Sequence, residues 1–435
     1  MRTLSATLLA VSLAAMAAHA DRPGQPPASS DAAPLHELKQ LYDARDFFTM
    51  SERLQTLDDT SSPGLRFYTA VVQNAFNQPG ASNDTLRDLL ATADLDPTLR
   101  RDALNVRRRN DVRLGDYRAV VADAKQILAM PGHPVPDDTQ DIRNELTLFD
   151  ALDDVPPQRA VMRDDTTIAL QPDKAGGRCV PVTIGDATRC YILDSGANFS
   201  VLMRSEAEAL GLTIVKAGFQ VGTSTDVKVT ADLTVAPHLT IGSIEYDHVV
   251  FLVFPDRLLS FPGGVRIPGI LGFPVLEAMG EVRYVGDHGL EIPKTPPPRP
   301  PHSLALDQLH LLTPIAYGGR TLACRVDTGA DRTVFYEPFF RAFGAMVRKL
   351  GTPHTTRTGG VGGIREIPGF RLPSLRITLA GRPVVLDPLD VYTQSITEPR
   401  DNTAYCNLGR NTLAKFDFYA FNFRSMSLVL GQQGG

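Results

Sequence analysis

An Asp-hydroxyl-Gly-Ala motif occurs twice in this chain, and no other feature restricts its fold as strongly. One copy reads Tyr191-Ile192-Leu193-Asp194-Ser195-Gly196-Ala197-Asn198 and the other Cys324-Arg325-Val326-Asp327-Thr328-Gly329-Ala330-Asp331. In each, an apolar, strand-like run ends in an Asp and then turns on a Gly. The likeness continues beyond the motif, where Ser200-Val201-Leu202 answers Thr333-Val334-Phe335. Gly211 and Gly344 stand at the same distance beyond Asp194 and Asp327, where a short helix would need its C′ glycine. A tight Asp-Gly turn explains one copy taken alone. Two copies with matching flanks require an internal duplication.

The duplicated halves share a second element. Gly269-Ile270-Leu271-Gly272 follows the first Asp, and Asn407-Leu408-Gly409-Arg410-Asn411 follows the second at nearly the same interval. Between and around these elements lie short Val-, Ile- and Thr-rich runs broken by Gly and Pro, the pattern of an all-β unit. Lys294-Thr295-Pro296-Pro297-Pro298-Arg299-Pro300-Pro301 divides the two units and reads as a stiff polyproline spacer.

Asp-[Ser/Thr]-Gly-Ala followed by an apolar-apolar-Gly strand resembles the pepsin and retropepsin superfamily of aspartic proteases, over about residues 160–430. The resemblance implies an all-β bilobal fold of two pseudo-twofold β-barrel lobes, residues 160–293 and 302–431, joined by the 294–301 linker. Asp194 and Asp327 would be the catalytic pair, with Ser195, Gly196, Thr328 and Gly329 supporting their loops. Two carboxyls held at hydrogen-bond distance share one proton, so one can act as base toward a water and the other as acid toward a peptide carbonyl. The pair titrates as a unit, and the sequence leaves open which Asp is ionised. Water attacks directly, so no acyl-enzyme and no cofactor or metal is implied. Ala197 and Ala330 stand where pepsin-like members commonly place a hydroxyl, and losing that donor favours a mildly acidic optimum.

The second copy is especially similar to retropepsins. By that analogy Arg410 pairs with Asp331, which receives backbone N–H groups of substrate. In the first copy Asn198 replaces the Asp and Phe273 replaces the Arg, so acid and base are absent together, as avoidance of an unpaired buried charge demands. Retropepsins assemble one site from two identical chains; this chain holds both halves, so a monomer suffices. The Gly-rich stretch Thr358-Gly359-Gly360-Val361-Gly362-Gly363-Ile364 fits a flap tip closing over a peptide, with Gly360, Val361, Gly362 and Gly363 as its substrate-facing residues. Its counterpart falls near Phe219-Gln220-Val221-Gly222-Thr223. An ordinary surface hairpin is the plain alternative for both.

Residues 1–20 read as a secretory signal: Arg2, an apolar run from Leu8 to Ala18, and Ala18-His19-Ala20 before Asp21. The mature chain is thus expected outside the cytoplasm, periplasmic or secreted. Four cysteines in an exported chain suggest two disulfides, and three pairings exist. Cys190 and Cys324 lie out of step relative to their Asp residues and so face opposite sides of equivalent strands. That favours Cys179 with Cys190, across a hairpin turning at Gly185-Asp186, and Cys324 with Cys406; free buried thiols stay open as the alternative.

Residues 21–33 read as a flexible lead-in and 34–152 as helical. Ala44-Arg45-Asp46-Phe47 and Leu114-Gly115-Asp116-Tyr117 open similar segments, and the region resembles degenerate tetratricopeptide helix pairs. It is read as a protein-partner surface, a spacer or a prosegment over the cleft. Net charge is −5 with pI near 6.0, which gives no basic field for nucleic acid. No Gly-x-Ser-x-Gly elbow, His-Glu-x-x-His or phosphate-binding loop is present. Two readings result: an aspartic endopeptidase, or a non-catalytic peptide-binding scaffold using the same cleft.

Overall fold

The computed structural model describes residues 32–132, 136–172, 178–222, 228–286, 289–300, 302–361, 363–396 and 402–434. The expected signal segment, most of the lead-in, Thr223 and Gly362 lie outside these residues. Among the described residues no helix is long and apolar enough to cross a membrane.

Among the described residues seven helices come first: α1 (Ala32–Asp43), α2 (Phe47–Gln55), α3 (Pro63–Ala75), α4 (Pro79–Leu90), α5 (Pro97–Leu114), α6 (Tyr117–Ala129) and α7 (Pro136–Asp150). The likeness between the segments at Asp46 and Asp116 has a geometric cause. Arg45 and Gly115 take left-handed φ values of 57° and 70°. Each is followed by an Asp whose carboxylate caps the next helix, accepting the N–H of Thr49 or Ala119. The N–H groups of Asp46 and Asp116 reach back to the carbonyls of Leu41 and Asp111, both at 2.9 Å. Asn77 (φ 61°) and Gln78 make the same corner between α3 and α4, with Gln78 N–H on the Gln73 carbonyl at 2.8 Å. Three successive helix pairs therefore turn on one corner, and the middle one hides it behind a different sequence.

The first lobe is a sheet whose strands run, in order of pairing, 159–162, 244–254, 200–203, 269–271, 187–193, 178–184, 229–241 and 214–221. Strands 229–241 and 244–254 also pair directly, which curls the sheet toward closure. The second lobe repeats the central order: 389–392, 334–335, 406–408, 320–326, 310–317. In both lobes the apolar-Gly strand lies parallel to the strand that ends in Asp and antiparallel to the one after it.

Short helices follow at equivalent places: α8 (Arg204–Ala209) and α9 (Phe273–Ala278) in the first lobe, α10 (Glu337–Leu350) and α11 (Arg410–Leu413) in the second. Gly211 is the expected C′ residue after α8, with φ 67°. Gly344 is not. It sits inside the longer α10, next to Phe343, whose φ of −127° breaks the helix where α8 stops. The second lobe has carried the helix past the old end, and Gly351 caps it.

The division into two separate lobes needs correcting in one respect. Strands 166–169, 289–292 and 281–285 from the first half pair with 418–422 and 427–430 from the second, forming one sheet that both halves share. The Pro-rich segment is bound to this sheet rather than acting as a free spacer. Arg299 makes two hydrogen bonds to the buried carboxylate of Glu281, at 2.7 and 3.3 Å. Asn422 Nδ2 donates to the Pro297 carbonyl at 3.1 Å.

Both disulfides pair as favoured from the sequence. Cys179–Cys190 spans the hairpin that turns at Gly185 (φ 56°) and Asp186. Cys324–Cys406 joins directly opposed residues of the two parallel strands below Asp327.

Helices α6 and α7 rest on the first lobe. Tyr117 and Phe149 stack at 5.6 Å, and Phe149 meets Phe199 of the first Asp loop at 6.2 Å. Deeper in the junction the Arg113 guanidinium, buried, bonds Glu277 of α9 at 2.8 Å. Phe76 stacks on His302 at 4.1 Å.

Candidate active site

Asp194 and Asp327 each end a core strand, and each is held by the same backbone bond from its neighbour. Asp194 N–H donates to the Leu271 carbonyl at 2.9 Å and Asp327 N–H to the Leu408 carbonyl at 3.0 Å. The next turn is fixed likewise: Phe273 N–H bonds Ala197 O at 2.8 Å and Arg410 N–H bonds Ala330 O at 2.9 Å. Gly272 and Gly409 are required here. A Cβ on Gly272 would lie 2.5 Å from the Phe199 carbonyl carbon, and one on Gly409 2.6 Å from that of Arg332.

The two loops meet through a reciprocal lock. Ser195 N–H donates to Thr328 Oγ1 and Thr328 N–H to Ser195 Oγ, both at 3.0 Å. Each hydroxyl in turn donates across the interface, Ser195 to the Val326 carbonyl and Thr328 to the Leu193 carbonyl, again at 3.0 Å. Both side chains are buried, so these four bonds face little competition from water and an orphaned partner would cost about 1–3 kcal/mol. The lock brings the carboxyls together, within hydrogen-bond reach of one another. Gly196 and Gly329 make the approach possible. A Cβ on Gly196 would sit 2.7 Å from Asp327 Cγ, and one on Gly329 2.4 Å from Asp194 Cγ. Each glycine makes room for the carboxyl of the opposite lobe.

Burial, and then the neighbouring charge of Asp327, push the Asp194 carboxyl well above the usual carboxylate range; its bond from Gly196 N–H, 2.8 Å, acts the other way. Asp327 Oδ1 accepts the N–H groups of Gly329 and Ala330, both at 2.9 Å. Its Oδ2 accepts Nδ2 of Asn407 at 2.8 Å. Asn407 belongs to the apolar-Gly element, but sequence reasoning gave it no role. The available signal was its polarity where the first copy has Ile270.

Arg410 contacts Asp331 as the retropepsin analogy requires, and the pair lies toward solvent, with Asp331 69% exposed. In the first lobe Phe273 is fully buried and packs edge-on against Phe423 at 5.7 Å, a place closed to a guanidinium. Among the described residues no donor reaches the buried Oδ1 of Asn198.

Strands 352–360 and 363–372 form the long hairpin expected of a flap. Gly360 pairs with Gly363, and Val361 is a turn residue between them; Gly362, named with the tip, lies outside the described residues. Gly363 takes φ 118°, a value that excludes most side chains. Val361 packs on the apolar cluster that holds Phe199, Ile270, Tyr117 and Phe149, so the tip reaches across to the first lobe. The first-lobe counterpart expected near residues 219–223 runs into residues outside those described. Of its residues, Phe219 to Val221 lie in a strand paired with 229–231, with Phe219 buried opposite Ala231.

The comparisons with known proteins fall on this part of the chain. Residues 180–275 match the family model described as aspartyl protease. That match supports an aspartic protease family. Solved structures similar to the chain include a retropepsin-like aspartic protease from Rickettsia conorii, 17% identical, covering 31% of this chain and 93% of that one, with a TM-score of 0.21. No curated protein matches the chain.

Proposed function

We propose that the chain is an exported aspartic endopeptidase that acts as a monomer, with Asp194 and Asp327 sharing one proton over a bound peptide. The carrying observation is the reciprocal Ser195–Thr328 lock together with Gly196 and Gly329, each of which makes room for the carboxyl of the opposite lobe. One carboxylate takes a proton from water as the water oxygen bonds to the peptide carbonyl carbon. The other carboxyl gives its proton to the carbonyl oxygen, leaving a neutral gem-diol. In breakdown the first gives its proton to the departing nitrogen, the second recovers one from a gem-diol hydroxyl, and the C–N bond breaks.

Asp331, oriented by Arg410, and Asn198 receive backbone groups of the peptide, and the 360–363 tip covers it. The helical region covers the first-lobe side of the cleft, supported by the Phe149–Phe199 contact. Its three helix pairs support a tetratricopeptide-like stack whose remaining surface serves a protein partner. The secretory pattern of residues 1–20 supports periplasmic or extracellular residence.

Cleavage of casein and of a peptide library by wild type, Asp194→Asn and Asp327→Asn, read by mass spectrometry, tests the reading. Each variant is expected to lose at least about a hundredfold in rate. Retained cleavage in either overturns the mechanism, and a wild type that cleaves neither casein nor the library leaves the peptide-binding scaffold in its place.

A further inference from the structure

We infer that Asn407 is a positioning residue that fixes the shared proton on Asp194 and leaves Asp327 as the carboxylate that activates water. The inference rests on the proteolytic reading above and assigns the two roles that reading leaves symmetric.

Register makes the comparison exact in kind. In the first lobe Ile270 pairs with Ile192 on one side and Val201 on the other. In the second, Asn407 occupies the same place, paired with Arg325 and Val334. Ile270 can offer Asp194 nothing. Asn407, 8% exposed, aims its Nδ2 at Asp327 Oδ2 from 2.8 Å. The backbone adds to the imbalance. Ala330 N–H bonds the Asp327 carboxylate, whereas its counterpart Ala197 N–H turns to the main-chain oxygen of Asp194 at 3.3 Å. Gly329 N–H, which bonds Asp327, also faces Asp194, and Gly196 N–H bonds Asp194 directly. The carboxamide is the donor without a counterpart. Hydrogen bonds to a carboxylate favour its ionised form, and those to charged groups are the strong ones. Two neighbouring carboxyls with one proton between them therefore place it on the side with fewer donors.

The other charged or titratable groups facing the pair do not compete. Arg325 is on the strand leading to Asp327. Tyr336, near Arg325 and Asp327, is pushed up to about 12 by burial, and Tyr284, near Asp194 and Arg410, is raised further by the same cause. His310, beside Arg325, is pushed down to about 3 by burial and by that guanidinium, so it is neutral above that pH. Between about pH 4 and neutrality Tyr336, Tyr284 and His310 therefore keep their charge.

The test is the pH profile of kcat/KM on one cleaved library peptide for the full chain, Asn407→Ile, Asn407→Ser and Ile270→Asn, with folding checked by circular dichroism. Asn407→Ile copies the first lobe and is expected to move the acid limb upward by about one pH unit, with about a tenfold loss on the plateau. Asn407→Ser, which keeps a short donor, recovers part of the shift. Ile270→Asn gives Asp194 a donor of its own and moves the alkaline limb down. Superimposable profiles for folded Asn407→Ile and Ile270→Asn overturn the inference. If Asp194→Asn or Asp327→Asn still cleaves, the two-aspartate mechanism itself has failed; if both are silent while the Asn407 and Ile270 profiles stay put, only the assignment of roles has.

Discussion

The two lobes carry the same loop on the same three strands, yet their surroundings have diverged in a consistent direction. Around Asp194 the neighbours are apolar: Ile192, Ile270 and the buried Phe273. Around Asp327 they are polar: Arg325, Asn407, and the Asp331–Arg410 pair. What is unchanged is what both carboxyls need at once, namely the hydroxyl–amide lock, the backbone bond from Leu271 or Leu408, and the two glycines. What has changed is what only one lobe uses. An acid and its base are absent together from the first lobe, where Asn198 stands for Asp331 and the buried Phe273 fills the place of Arg410.

The strongest way to break this comparison is to attack the shared part. Gly329→Ala and Gly196→Ala drive a methyl to 2.4 and 2.7 Å from the opposite carboxyl carbon, with backbone and a buried acid unable to yield. Both are expected to abolish cleavage in a chain that still folds by circular dichroism; an active Gly329→Ala would show that the lobes need not meet as described.

The disulfides should separate the lobes by stability. Cys324–Cys406 closes a sequence separation of 82 residues and Cys179–Cys190 one of 11. Loop-closure entropy then assigns about 4–5 kcal/mol to the first and about 3 kcal/mol to the second. Denaturant melts of the two Cys→Ser pairs should show the second-lobe variant as the weaker; the reverse order would point to compensating contacts.

A smaller effect follows from protonation. Asp194 is raised above its ordinary value, so the folded chain keeps a proton there that the unfolded chain releases once pH exceeds about 4. That contribution is fully present below pH 4 and is lost as pH rises toward the folded value. Asp194→Asn has no proton to lose, so its melting temperature should match wild type near pH 4 and exceed it by about 2–4 °C near pH 7. A constant gap across that range would remove the burial argument.

The smallest effect concerns specificity. Arg325 shares the cleft-facing side of its strand with Asp327, where the first lobe has Ile192. Arg325→Leu should lower the kcat/KM for peptides with an acidic residue beside the scissile bond relative to an apolar one by about tenfold. No change in preference would place the guanidinium out of substrate reach.

Much of this was legible in the sequence because the duplication supplied its own control. Matching residues marked the strands, the Asp pair and the lock between Ser195 and Thr328, and mismatched ones marked Asn198 with Phe273 as a coordinated loss. Three things were not legible. Gly344 looked like a helix end because its twin Gly211 is one, but tertiary packing of α10 against strand 389–392 outweighs the local signal. The Pro-rich segment read as a stiff spacer because nothing local shows that Glu281 and Asn422 hold it. The common corner of the helix pairs was visible at Arg45 and Gly115 and invisible at Asn77, since the left-handed conformation accepts residues with little else in common.

The account depends on one proton held jointly by two carboxyls. A carbon-13 titration of the aspartate carboxyls in the full chain measures it directly, with Asp194→Asn and Asp327→Asn supplying the assignments. The prediction is that one proton persists on the pair well above pH 4, and that removing either partner alters the titration of the other. Two carboxyls that titrate independently, each near the ordinary aspartate value, would contradict it.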